Sequence, residues 1–342
     1  MRVLVAMSGG VDSSVTAALL LDEGYEVVGA TMKLWGGPSD SGCCSVADVD
    51  DARRVAQQLG ITHHVFNFTD DFDEHVVAPY VEAHSRGATP NPCIECNRHL
   101  KFDRFLKRAS QLGFDAIATG HHARVSKRAG RFVLSRGADA AKDQSYVLAM
   151  LGQDALSRCR FPIGEMTKAD VRSRADALAL RTATKPDSQD VCFITSTHGR
   201  RGFLADRIGF RPGRVVDTST GAVVGAVDAV ELVTVGQRRG LVSGNAEPRY
   251  AVAIDAPSAT VYVGGHQDLL TSTVELTAMA WTDEPLTGPT AVLVQTSAHS
   301  DAVAATYNIG RVEFAAPQRR VAPGQTVALY RGDDVLGCGI AR

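Results

Sequence analysis

Ser8-Gly9-Gly10-Val11-Asp12-Ser13-Ser14 follows a Val-rich run and opens a helical pattern. At a strand-to-helix turn such a segment aims successive backbone N–H groups, and the positive end of the helix dipole, at one spot, which is how proteins hold a polyphosphate. The glycines let the backbone approach the anion, and Ser8, Ser13 and Ser14 offer hydroxyls. Asp12 would stand beside the phosphates, where a carboxylate is useful chiefly through a bound Mg²⁺. No Gly-Lys-Ser/Thr occurs there, so this is not the Lys-containing Walker loop. A tight turn in an unrelated α/β protein would also contain Gly-Gly, but the strand, the serines, the aspartate and the helix coincide here.

A second chemistry lies in the cysteines. Pro90-Asn91-Pro92-Cys93-Ile94-Glu95-Cys96 leads into a helix expected over residues 97–112, carrying Arg98, Lys101 and Arg104. Cys96 then sits just before a helix N-terminus, where dipole and basic neighbours favour the reactive thiolate. A Cys-x-x-Cys pair is also half of a zinc knuckle, but no second pair supplies the remaining ligands. Lys185-Pro186-Asp187-Ser188-Gln189-Asp190-Val191-Cys192 brings one more cysteine beside polar residues; read alone, Cys192 is a core thiol.

The elements that must position these groups follow from periodicity. Residues 2–7, 25–31, 64–68 and 114–119 read as strands, alternating with helical patterns over 14–21, 48–59, 97–112 and 166–180, which is the pattern of a parallel sheet wound with helices on both faces. After Cys192 the texture turns to short Val-, Thr- and Gly-rich segments separated by turns, predicting one or two small antiparallel barrels. The expected organisation is an α/β doubly wound domain over 1–196, a small β domain over 197–266 and a C-terminal β-barrel over 267–342. The 342 residues carry 36 Lys+Arg against 38 Asp+Glu, a net charge of −2, with 44% apolar residues. No stretch approaches the ~20 apolar residues of a membrane span, and no leader-like segment precedes the first strand, so a cytoplasmic protein is expected. Seven cysteines, an odd number in a chain of this size, suggest thiols rather than a disulfide scaffold.

The phosphate loop resembles that of the ATP pyrophosphatase superfamily, whose members adenylate an oxygen. Six blocks make the resemblance narrower: Ser8–Ser13, Asn91-Pro92-x-x-x-Cys96-Asn97-x-x-x-Lys101-Phe102, Ala118–Arg124 with Gly120-His121-His122, Lys142–Tyr146, Lys185-x-Asp187-Ser188-x-x-x-Cys192-Phe193-Ile194 and Gly236–Leu241. In this order they resemble the tRNA-specific 2-thiouridylases over nearly the whole chain. The resemblance implies that ATP with Mg²⁺ adenylates the C2 oxygen of the wobble uridine, position 34, and that sulfur then displaces AMP. It implies Cys192 as the persulfide carrier and Cys96 as the second cysteine, which attacks the persulfide or forms a disulfide with Cys192. Nucleotide contacts are implied for Ala6, Met7, Ser8, Gly9, Gly10, Val11, Asp12, Ser13, Met32 and Gly120. Contacts to the tRNA anticodon stem-loop are implied for Asn91, Pro92, Cys93, His121, Lys142, Asp143, Gln144 and Gln325. A cysteine desulfurase or relay protein would deliver the sulfur, and a monomer is expected.

Two departures stand out. Family members carry Asp, a candidate base, where this chain has Cys93, and an Arg-Tyr-Arg run near where it reads Gln295–Ser300. Cys93, Cys96 and Cys192 would alternatively ligate three irons of a [4Fe–4S] cluster whose open iron carries sulfide. Cys43, Cys44, Cys159 and Cys338 match no block and read as structural thiols. Other readings are a pyrophosphatase-type synthetase of a small metabolite, disfavoured by the missing glutaminase domain, and a nucleotide sensor with incidental cysteines. Residues 98–108 and 200–214 each carry a local +4; removing both from the net −2 leaves −10, so neutrality conceals a basic face suited to RNA phosphates.

Overall fold

Arg2–Ala6 (β1) is buried on both faces, as a central parallel strand must be. Alternate side chains separate: Leu4 and Ala6 enter one core cluster, Val3 and Val5 the other. We describe residues 1–37, 45–187, 191–195, 197–242 and 247–342 of the chain in a computed structural model; Cys43, Cys44 and Ser188–Asp190 lie outside the described residues. β2 (Glu26–Lys33), β3 (His63–Asn67), β4 (Ala116–Ala118), a hairpin of β5 (Ala123–Arg128) and β6 (Arg131–Arg136), and the short β7 (Cys159–Arg160) follow. Five of these form a parallel sheet in the order β3-β2-β1-β4-β7.

Helices cover both faces. α1 (Val11–Asp22) and α2 (Val46–Gln58) pack on the Val3/Val5 side, through Val15, Leu20, Ala52 and Val55. The other face takes α3 (residues 69–85) and α4 (residues 92–111), through Phe72, Tyr80, Leu100 and Phe105. α3 was not legible as a helix in the sequence: Pro79 interrupts it, and the turn just before, Asp73–Val77, is wound in the wider π register. α5 (Lys168–Ala177) returns to the first face through Val171 and Ala175, its start fixed by a reciprocal Thr167/Asp170 capping box. A short helix, α6 (Gly199–Ala205), leads out of this domain.

The rest is β structure, as its texture predicts. β8 (Gly213–Asp217), β9 (Val223–Val227), β10 (Tyr250–Asp255) and β11 (Thr260–Gly264) form a sheet ordered β10-β11-β8-β9, in which β8 and β11 run parallel and the other pairs antiparallel. β12 (Leu270–Trp281), β13 (Thr290–Gln295), β14 (Val303–Asn308), β15 (Arg311–Arg319), β16 (Thr326–Arg331) and β17 (Asp334–Ala341) close into an antiparallel barrel, because β12 pairs with both β15 and β17. The β5–β6 hairpin joins that barrel's sheet through Ser135 and Asp334. Its two-residue turn, Ala129-Gly130, has φ of 47° and 81°, the left-handed pair that matches strand twist. The first domain thus lends the last one two strands.

His84 on α3 ties the first domain to the middle one: its buried ring lies 3.3 Å from the Glu231 carbonyl and edge-on to Tyr80. Burial pushes both His63 and His84 down to about 4 from 6.5. The unfolded chain therefore takes up protons first, so stability is full above about pH 6.5 and falls as the pH drops toward 4. We expect the melting temperature to decline across that window, and His84→Gln to make the decline shallower.

Candidate active site

β1 and β4 are parallel neighbours, with Val5 opposite Ala118, so the loops leaving their carboxyl ends must lie side by side. This is the switch point of the sheet, where strand order departs from β1 in opposite directions and open α/β sheets bind ligands. The contact is close enough to dictate residue type. A Cβ on Gly120 would fall 2.7 Å from the Ser13 nitrogen and 2.8 Å from the Asp12 carbonyl carbon. Gly9, at φ 75°, backs onto α2, where a Cβ would sit 2.2 Å from the Asp48 oxygen. Gly10 caps α1, and its carbonyl accepts the hydroxyls of Ser13 and Ser14 at 3.1 and 2.8 Å. The Ser8 nitrogen donates to Ser13 Oγ at 3.2 Å. Behind the loop, Ala6, Met7, Val11 and Met32 are buried.

Two lysines clasp this loop to the segment that ends at Cys192. Lys185 Nζ donates to the Gly9 carbonyl at 2.9 Å, to Asp51 at 2.7 Å and to Asp48, and the paired carboxylates outweigh desolvation to raise its pKa. Lys168 Nζ sits 2.7 Å from each oxygen of Asp12 and 2.8 Å from Asp187. Asp187 also meets Lys142 at 2.8 Å and Arg172 at 3.0 Å. Desolvation is overcome by the lysines, holding Asp187 down at about 2. At Asp12 too, burial is outweighed, here by His122 at 3.4 Å and Lys168, so the carboxylate is stabilised. His122 and Lys168 carry no role in the sequence reading. His122 directly follows His121 in the chain, yet the two rings diverge: His121 enters a pocket of Phe102 and Phe161 while His122 reaches Asp12. Nothing in the local sequence marks Lys168, 156 residues from its partner.

The cysteine segment differs from expectation at one point. α4 begins at Pro92, not at Asn97, because Asn91 caps it through a bond from the Cys93 nitrogen (3.1 Å) and Pro92 has no N–H to satisfy. Cys93 therefore occupies the first turn, and Cys96 lies a turn further in, 8% exposed, where the π-wound stretch Cys96–Arg104 begins. The dipole argument for a Cys96 thiolate loses its basis. The Cys93 thiol is exposed, yet enough protein surrounds it that desolvation raises its pKa against the pull of Lys101. Cys192 packs against the same apolar cluster that contains Cys96, beside Phe193, which meets Trp35, Phe72, Tyr80 and Phe203. Cys159 and Cys338 are buried, the latter pushed up to about 11 by desolvation.

The residues expected at the RNA gather where α4, residues 142–148 and the barrel meet. Gln144 brackets the His122 backbone, accepting from its nitrogen and donating to its carbonyl, both at 2.9 Å. Asp143 is 6% exposed on its side chain and binds Arg136, Ser145 and the Gly137 nitrogen. Asn97 donates to the Val147 carbonyl, Tyr146 to the Thr326 carbonyl, and Gln325 to the Thr89 carbonyl. His121 is held neutral by burial, with Nδ1 2.6 Å from Thr119 Oγ1. Both basic runs are partly neutralised from outside, by Glu95 and Asp71 for the first and Asp228 and Glu231 for the second. Between β3 and α4 a groove of about 580 Å³ keeps Arg104, Lys107 and Arg108 along one wall.

Among the described residues, no group of three or more His, Cys, Asp or Glu side chains is placed to hold a metal ion. Of the three cysteines of the cluster reading, Cys93 is exposed, Cys192 half-buried and Cys96 buried. Among the described residues, no helix is long and apolar enough to cross a membrane.

Comparison with known proteins matches residues 1–196 to the tRNA methyl transferase HUP domain, 201–265 to the tRNA methyl transferase PRC-barrel domain and 271–341 to the aminomethyltransferase beta-barrel domain. A tRNA-specific 2-thiouridylase of Mycobacterium tuberculosis is 47% identical, over 98% of this chain and 95% of its own. That of Mycobacteroides abscessus is 45% identical over 99% of both. The U34-tRNA thiolase NcsA of Methanococcus maripaludis, whose structure holds a [4Fe–4S] cluster, shares 16% identity over 60% of this chain and 62% of its own, at a TM-score of 0.37, too remote to carry the cluster across. The domain descriptions speak of methyl transfer, whereas the near full-length relatives are thiouridylases. The relatives decide between them, because they match both the phosphate-loop domain and the two β domains in one chain: the protein belongs to the tRNA-specific 2-thiouridylase family.

Proposed function

We propose that this chain is an ATP-dependent sulfurtransferase that replaces the C2 oxygen of the wobble uridine of tRNA, position 34, with sulfur. The observation that carries this reading is the near full-length relationship to thiouridylases, in a chain whose phosphate loop is clasped to the segment ending at Cys192. The loop Ser8–Ser14, opened by Gly9 and Gly120, suits the phosphates of ATP, with Met32 near the base. When Mg²⁺ accompanies ATP, it supplies charge neutralisation at the phosphates.

The uridine O2 attacks the α-phosphorus, the bond to the β-phosphate oxygen breaks, and pyrophosphate leaves as N3 loses its proton. C2 now bears AMP, a leaving group that the original carbonyl oxygen was not. A donor protein, a cysteine desulfurase or relay, loads Cys192 as a persulfide. The Cys96 thiolate attacks the inner sulfur, forming the Cys96–Cys192 disulfide and releasing hydrosulfide, which adds to C2 as AMP departs and N3 regains a proton. If the terminal sulfur adds to C2 first, the same attack by Cys96 then cuts the S–S bond. Either order leaves a disulfide, which a dithiol reductant must reopen with two electrons. Desolvation raises the pKa of the Cys93 thiol against the pull of Lys101, which disfavours the thiolate as a substitute for the carboxylate of the family; with Asn91 and Pro92 it is assigned to the base-contacting segment. His121, Lys142, Asp143, Gln144 and Gln325 line the anticodon side. The protein acts as a cytoplasmic monomer.

With purified protein, ATP, a persulfide source and unmodified tRNA, we expect Cys96→Ser and Cys192→Ser to abolish 2-thiouridine while ATP binding stays at the wild-type level; thiolation surviving in both would refute the assignment and leave the synthetase and sensor readings. Gly120→Ala adds a methyl group against the Asp12–Ser13 backbone. Overpacking of this kind costs about 1–3 kcal/mol, so calorimetry should record ATP binding weakened by about tenfold.

A further inference from the structure

Lys168 carries an inference that rests on the ATP-loop reading and goes beyond it. A carboxylate beside a polyphosphate needs a counter-cation, and Mg²⁺ is the expected one. Here each oxygen of Asp12 lies 2.7 Å from the Lys168 ammonium, on a side chain that is only 12% exposed. Its mounting is rigid: the Lys168 nitrogen donates to Asp139 at 2.9 Å, and the Thr167/Asp170 box sets the helix start beneath it. The same ammonium reaches Asp187, which Lys142 and Arg172 also neutralise.

We propose that Lys168 is the resident counter-cation of the nucleotide loop: it neutralises Asp12 in place of a divalent metal, so that ATP can be bound, though not necessarily turned over, without Mg²⁺. Lys168 is a positioning residue in this account, since it acts through Asp12 and Asp187. No metal needs to be recruited before the phosphates settle on the loop amides, and Asp12 stays oriented by two donors, Lys168 and His122.

The test is ATP binding by calorimetry, with Mg²⁺ and with EDTA, on the wild type, Lys168→Met and Lys168→Arg. The wild type should bind in EDTA within about threefold of its affinity with Mg²⁺. Lys168→Met should bind at least about tenfold more weakly in EDTA, with Mg²⁺ recovering most of the loss, while Lys168→Arg keeps metal-independent binding. A purely structural role predicts equal losses with and without Mg²⁺, and that result overturns the proposal. Wild-type binding that vanishes in EDTA also overturns it, and needs no variant to fold. Failure of the wild type to bind ATP under either condition sinks the ATP-loop reading itself; Lys168→Met binding normally in EDTA sinks this inference alone.

Discussion

The parallel pairing of β1 with β4 is the constraint on which the site depends. It sets the Ser8–Asp12 loop against the Thr119–His122 loop, leaving no room for a side chain at Gly120. Every other feature of the site is arranged around that contact. α1 departs from it behind Gly10, whose cap position has no side-chain partner, His121 and His122 diverge to either side of it, and the lysine clasps close over it. A sheet with a different neighbour beside β1 would hold the same residues and have no site.

On the proposed function, one domain would carry two chemistries, and the clasps would hold them side by side. Activation needs a nucleotide beside a loop; sulfur transfer needs a cysteine that can approach the activated carbon. Lys185 and Lys168 fasten the Lys185–Cys192 segment to the loop with buried or half-buried ion pairs, which are costly to break because each would strand an opposite charge. Beyond them, Phe193 anchors the same segment in a cluster of aromatic rings. The barrel is held in place separately, by Tyr146 and Gln325 on backbone carbonyls and by the β5–β6 hairpin, so the surface expected to meet RNA spans a junction braced from both domains.

Much of this was legible in the sequence. The parallel strands, the strand-to-helix turn at Ser8–Ser14 and the change to β texture after Cys192 are local patterns, and local patterns survive folding. The helix start was misplaced because Asn91-Pro92 reads as a loop as readily as a cap. α3 was missed because Pro79 breaks the helical periodicity that a wider turn restores in space. Lys168, His122 and the Asp48/Asp51 pair with Lys185 were not legible as a network, since their partners lie more than a hundred residues away and only the fold brings the charges together.

The central claim concerns an atom in tRNA, and nucleoside analysis reads it directly. Digesting total tRNA from cells lacking this protein and quantifying the nucleosides by mass spectrometry should reveal loss of wobble 2-thiouridine derivatives and accumulation of their 2-oxo counterparts, with other thiolated nucleosides unchanged. An undiminished level of wobble 2-thiouridine in those cells would contradict the account.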